Sequence, residues 1–345
     1  MDLSYFLISL LNGLSVGLLL FMLASGLTLI FSMMGVLNFA HASFYMLGAY
    51  VAYTVTAVSG SFWVALFLAP LLVGLAGAGF ERFALRRVHK FGHVPELLIT
   101  FGLSYIALEL VQLIWGRASV NFQPPPQLQG PAFTIVDLQA AGAGLGLTWG
   151  LPPEACKTVA GAVCTTFPKF RAFGMAVAVL MLVMVWLLFT RTRMGLVIQA
   201  ALTHPDAAES LGHNVPRVFM LVFGGGTALA GLAGVIGGAL RVTEPSMALT
   251  VGAVVFAVIV IGGMGSLAGA FIASVLLGVI ESFAVGSDKS LSDLFTVFGA
   301  QITPQTLGYA VWSVKISQVA AILPFLLLVL ILIFRPKGLL GTRED

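Results

Sequence analysis

Along this chain apolar runs near residues 5–32, 41–58, 62–81, 95–115, 170–190, 218–240, 248–263, 267–285 and 315–334 alternate with polar breaks. Most are long enough for a helix rising about 1.5 Å per residue to cross about 30 Å of hydrocarbon. The pattern predicts an all-α polytopic membrane protein, a single transmembrane domain over 1–345 with eight or nine transmembrane helices. Within residues 1–50 and 248–285 the runs carry glycine-centred breaks, so broken or re-entrant segments are the alternative to full crossings there. Three longer polar stretches remain: 116–169, 191–217 and 286–313.

The stretch Arg191 to Arg217, RTRMGLVIQAALTHPDAAESLGHNVPR, is a polar island between two spans. Pro205 suits a first helical position behind Thr203 or His204 as cap. Asp206 and Glu209 favour the positive N-terminus, and Gly212 suits the stop. One short helix from Pro205 to Gly212 is predicted. Two turns do not hold themselves together in water, so something must pack on this helix, and a soluble partner docking from the cytoplasm is the candidate.

Charged residues make up 9% of the 345, against roughly 25% in a soluble domain, and mean hydropathy is +1.03. The net charge of +3 does not point to nucleic acid, because the basic residues distribute by membrane side and form no aromatic-interleaved surface. Arg82, Arg86, Arg87 and Lys90, then Arg191, Arg193 and Arg217, then Arg335, Lys337 and Arg343 mark the cytoplasmic face. That puts the C-terminus inside and, if 5–32 is one crossing, the N-terminus outside. The opening MDLSYF is acidic where a cleavable signal would be basic, so the first run is expected to stay. Stretches 116–169 and 286–313 are then periplasmic, the latter, with Asp288, Lys289, Asp293 and Pro304, as part of a docking rim. Both cysteines, Cys156 and Cys164, fall in the former and are expected to form a disulfide. With no histidine or further cysteine in that loop, no metal site is expected.

The segment Gly35 to Tyr50 concentrates polar groups in an apolar region: Asn38, His41, Ser43 and Tyr45. On a helix Asn38, His41 and Tyr45 share a face. They either line a pathway for a small polar substrate or form a buried hydrogen-bond network. Met34-Gly35-x-Leu37-x-x-Ala40 and Leu47-Gly48 are echoed by Met264-Gly265-x-Leu267-x-x-Ala270 and Leu277-Gly278, as a duplicated, parallel unit supplying both halves of a pathway would be. Met264 and Gly265 are therefore candidates beside the first set. Gly226, Ala230, Gly234 and Gly238, with Gly13 and Gly17, form nearly bare helix faces for close packing, and Gly224 to Gly226 is a candidate hinge. Glu109 and Glu281 fall late in their spans, either as functional carboxylates or as solvated rim residues. No ionisable pair sits deep in the spans at metal-ligand or nucleophile–base spacing, so no catalytic residues are assigned and an intramembrane enzyme is disfavoured.

The stretches GLTLIFSMMGVLNFAHASFYMLGAYVAY, RTRMGLVIQAALTHPDAAESLGHNVPRV and VVFAVIVIGGMGSLAGAFIASVLLGVIES resemble the LivH-type permease of the branched-chain amino acid ABC importers. The resemblance implies pairing with a LivM-type second permease, two cytoplasmic ABC ATPases and a periplasmic substrate-binding protein in the bacterial inner membrane. It also implies transport by alternating access, with Thr203, Pro205, Asp206, Glu209 and Gly212 in the ATPase-coupling loop. Gln199 departs from the basic residue often found there in the family. No GxxxxGK[ST] loop exists in the chain, so no cofactor is expected in it, and ATP and Mg would be used by the partner ATPases. Importers of urea and short amides have similar permeases, and an ATPase-independent channel or secondary carrier is the rival from another class.

Overall fold

A computed structural model describes residues 3–137, 144–159, 163–296, 303 and 305–341; Pro304 and Arg343 lie outside them. The apolar runs are helical: α1 (Leu3–Met34), α2 (His41–Ser59), α3 (Phe62–Phe80), continued through a π-helical turn (Glu81–Leu85) into α4 (Arg86–His89), and α5 (His93–Trp115). The stretch after α5 carries strands β1 (Pro131–Asp137), β2 (Leu145–Trp149) and β3 (Val163–Pro168) and a short helix α6 (Ala155–Thr158). Then follow α7 (Lys169–Arg191), α8 (Arg193–Thr203), α9 (Pro205–Ser210), α10 (Val215–Leu240), α11 (Met247–Gly262) and α12 (Leu267–Val285). The short helices α13 (Leu291–Thr296) and α14 (Tyr309–Trp312) precede α15 (Ile316–Val319) and α16 (Leu323–Phe334), which together form the last apolar run.

Among the described residues seven helices are long and apolar enough to cross a bilayer, and Met247–Gly262 is a shorter apolar one. α2 has the length, but His41 and its Tyr, Ser and Thr residues dilute its hydropathy. It compensates by burial: Tyr45, Met46, Ala49 and Tyr50 are all inaccessible or nearly so.

The strands make an antiparallel sheet in the order β2-β1-β3, an element the sequence reading did not include. A disulfide joins Cys156 of α6 to Cys164 of β3. Ile8 near the start of α1 packs with Ile135 and Phe167 of the sheet, so α1 begins at the sheet end of the molecule. It is one uninterrupted helix, which leads to the opposite end, where α8 and α9 lie.

Glycine sets how closely the helices approach. α10 is gripped by α1, α2 and α3. A Cβ on Gly26 would stand 2.3 Å from the Gly226 carbonyl oxygen, one on Gly48 2.4 Å from that of Gly231, and one on Gly77 2.0 Å from Thr227 Oγ1. Gly13 and Gly17 meet Gly278 and Ser274 of α12 in the same manner. At Gly224 to Gly226, the candidate hinge, α10 runs through without a break. Gly224 makes the contact with Gly74 and Ala78 of α3, and Gly226 that with α1.

The two Met-Gly breaks share a local geometry, with φ of 65° at Gly35 and 86° at Gly265. α1 packs on α12, and α11 packs on α2. The helix before each break thus lies against the helix after the other. α1 and α11 both descend from the sheet end, so the two units run parallel. The second break is sealed by the tail, where Leu339 N donates to Ile261 O (2.8 Å) and Leu340 N to Gly262 O (3.0 Å). Those bonds satisfy carbonyls that the end of α11 leaves open.

Candidate functional site

After Met34 the chain does not turn straight into α2. Residues 35–40 are non-helical and climb back along α1, and His41 Nε2 lies 3.0 Å from the Leu23 carbonyl oxygen. Leu23 is about 16 Å along α1 from Met34 at 1.5 Å per residue, so α2 begins partway through the helical layer. A carbonyl only accepts, so in the neutral ring Nε2 carries the proton and Nδ1 is an acceptor. Nδ1 is buried without a partner among the described residues. Asn38 Oδ1 accepts from Ala40 N (3.1 Å), which fixes the amide's orientation, and its Nδ2 is buried and also unpartnered. Asn38 thus sits in the break, not on the α2 face expected for it.

The break is braced by α5 and α11. Phe39 N donates to Thr100 Oγ1 (3.4 Å), and the Phe39 ring stacks on Phe256 with centroids 6.2 Å apart. Between the three elements lies a cavity of about 250 Å³ lined by Leu27, Asn38, Phe39, His41 and Ser43, by Ser104 and Leu108 of α5, and by Leu249, Gly252 and Phe256 of α11. No charged side chain lines it among the described residues. Asn38 and His41, two of the residues that line it, each carry a buried polar atom without a partner among the described residues, and buried polar groups in that state are costly until something pairs with them.

The other candidates lie elsewhere. Tyr45 is one turn further along α2 and faces α10, where a Cβ on Gly237 would come 2.1 Å from its hydroxyl. Met264 is exposed, and Gly265 sits beside Ser32 near the end of α1; neither lines the cavity. Glu109 is exposed on α5 and Glu281 half-buried on α12.

The island holds two helices where one was expected. α8 folds back on the end of α7, with Gly195 against Leu188 and Phe189, Thr192 Oγ1 capping Gly195 N (3.0 Å), and Gln199 Nε2 donating to Phe189 O (3.3 Å). Thr203 closes α8, and its side chain lies outside the described residues. α9 begins at Pro205 behind His204, which makes no side-chain cap bond. Its end is a Schellman turn: Gly212, at φ 87°, donates to Glu209 O (2.9 Å) and His213 N to Ala208 O (3.1 Å), as the αL position after a helix requires. Asp206 and Glu209 are exposed, and among the described residues neither forms an ion pair.

Two buried carboxylates at this end were not singled out by sequence. Glu81 is held by Arg86 (2.6 Å), which also donates to Pro216 O (2.6 Å) at the start of α10. Glu96 is held by His89 and by His93 (3.2 Å), and the His93 ring lies next to Gly35. The α3–α5 turn is thereby tied both to the island and to the break. At the sheet end a second cavity, of about 300 Å³, is lined by Gln112, Arg117, Glu244, Pro245 and Ser246.

The family described as branched-chain amino acid transport system / permease component matches residues 9–332. The chain belongs to that family. The permease is 28% identical to the high-affinity branched-chain amino acid transport system permease protein BraD of Pseudomonas aeruginosa, over 99% of this chain and 98% of BraD. It is 27% identical to the corresponding LivH of Escherichia coli, over 99% of this chain and 97% of LivH. It is also 26% identical to E. coli LivM, over 74% of this chain and 59% of LivM. No solved structure matches. The chain is thus a multi-pass membrane protein, a permease of an ABC importer that works with other subunits. Its relatives BraD and LivH are transport subunits.

Proposed function

We propose that this permease carries branched-chain or related small amino acids into the cell by alternating access, in the bacterial inner membrane, with its sheet end periplasmic and its island end cytoplasmic. The observation that carries this reading is the cavity at the first Met-Gly break, roomy enough for a small amino acid and lined by Asn38 and His41, each with a buried polar atom that has no partner among the described residues. Both are confined to a segment where the helix is discontinuous, as in binding sites built where irregular backbone lines a cavity. Its partners would be a LivM-type second permease, two ATPases that use ATP and Mg on α9, and a periplasmic binding protein. The uncharged lining also suits a neutral amide, which keeps an amide or urea importer as the second reading.

The test is uptake of labelled leucine into proteoliposomes holding the full complex. Uptake should require both ATP and the binding protein, and Asn38→Asp, which keeps the acceptor for Ala40 N but removes the Nδ2 donor, should abolish most of it at normal abundance. Leucine movement without ATPases would overturn the reading in favour of a channel or carrier. Urea or amide uptake in place of leucine would favour the second reading.

A further inference from the structure

The neutral cavity, the lower, and the second one, the upper, both lie between α5 and the start of α11. Ser104, Leu108 and Gln112 follow each other at four-residue spacing up one face of α5; the first two line the lower cavity and Gln112 lines the upper. Opposite α5, Gly252 and Leu249 line the lower and Ser246, just before α11, the upper. The chambers are therefore stacked about one helical turn, roughly 6 Å, apart. The upper one differs in chemistry. It presents Arg117 and Glu244, and among the described residues neither forms an ion pair, with the other or with any third group. Glu244 accepts from Ser246 Oγ (2.5 Å). The two walls that carry these charges are tied together by the backbone bond from Val120 N to Thr243 O (2.9 Å). Both side chains are exposed, so this open pocket presents to solvent two opposite charges that no described residue pairs, and a ligand that brings both signs itself can meet them.

We propose that Arg117 and Glu244 form an outer selection site for zwitterionic α-amino acids. The Arg117 guanidinium takes the carboxylate through its planar fork of donors, and Glu244 with Ser246 Oγ takes the ammonium. The ligand then descends one turn, where Asn38 Nδ2 donates to its carboxylate and His41 Nδ1 accepts from its ammonium, and the apolar walls meet its side chain. A neutral amide can hydrogen-bond to both groups above but brings no charge of its own to pair with either, so the outer chamber favours amino acids where the lower one does not discriminate. This proposal rests on the import reading above.

The experiment uses the full complex in proteoliposomes, with leucine as probe and a saturating concentration of leucine-loaded binding protein. If the parent imports no leucine, the import reading fails and this proposal with it. If it does, Arg117→Gln and Glu244→Gln should each slow uptake roughly tenfold or more, the loss expected for a hydrogen bond to a charged group. Basal ATPase activity and binding-protein docking should stay at parental levels, and Arg117→Lys, which keeps the charge but not the planar fork, should fall between the parent and Arg117→Gln. Uptake within twofold of parent in both Gln variants overturns the selection site alone. So does a loss of uptake matched by a loss of docking, or Arg117→Lys behaving as Arg117→Gln.

Discussion

At the scale of residues, glycine in this permease serves mainly as absence of volume. The Cβ that Ala would add at Gly48 has no room, because the Gly231 carbonyl oxygen and Cα lie 2.4 and 2.6 Å from its position. Backbone does not yield as the end of a flexible side chain does. Gly48→Ala should destabilise the purified complex by about 1–3 kcal/mol, the range for overpacking a dense core. Gly102, also helical, has nothing within 4 Å of its Cβ position, so Gly102→Ala should change stability by less than about 0.5 kcal/mol or raise it slightly. Thermal melts of the two variants in detergent give the comparison, and equal melting temperatures would mean that α2 and α10 are not packed as described. The four-residue glycine pattern of α10 was readable as a packing face. Its neighbours were not, since spacing names a face without naming what lies against it.

At the scale of elements, α9 separates two acidic residues with different duties. Asp206 is in the first turn, where a negative charge contributes about 0.3–1 kcal/mol to the helix, and Asp206→Ala should cost no more than that. Glu209 is exposed and unpaired among the described residues, so Glu209→Lys should leave the folded permease intact. Against a basic site on an ATPase it should cost on the order of 2–5 kcal/mol of docking, a tenfold or greater loss of ATPase retained on the purified permease. Retention equal to parent would remove α9 as the docking element. Gly212→Ala should act on the turn itself, at about 1–2 kcal/mol for a side chain forced into the left-handed region. Sequence gave α9 and its stop because Pro205 and Gly212 are local signals. α8 was passed over although Ile198 and Ala201 are buried three residues apart, because its first residues read as the continuation of a basic loop. Glu81 and Arg86 escaped for a different reason. They are five residues apart, out of register for an α-helical pair, and only the π-helical turn between them brings them together. The sheet was hidden by the proline and glycine around it, which describe a loop equally well.

At the scale of the whole molecule, the two Met-Gly units are parallel and reciprocally packed, and the cavity lies at the first break, with α11 of the second unit as its far wall. The second break is closed by the C-terminal tail. Substitutions should follow this asymmetry: Asn38→Asp impairs leucine uptake, whereas Met264→Leu, exposed and outside the cavity, should leave it within about twofold. Measuring both in one vesicle preparation separates a one-sided site from a site shared by the two breaks. Orientation is checked by the disulfide. In intact cells a membrane-impermeant maleimide should label Cys156 and Cys164 only after an impermeant reductant, and labelling before reduction would mean that the thiols are unpaired.

The single bond between Val120 N and Thr243 O also makes the permease its own gauge. A protected amide exchanges its hydrogen for deuterium only while its bond is open, so the Val120 amide records the fraction of time that the two walls are apart. Deuterium uptake in a peptide spanning residues 117–122 should be slow in the resting complex and quicken in whichever nucleotide state parts those walls. The label thus reports how far each nucleotide state parts the walls, without a mutation or a dye.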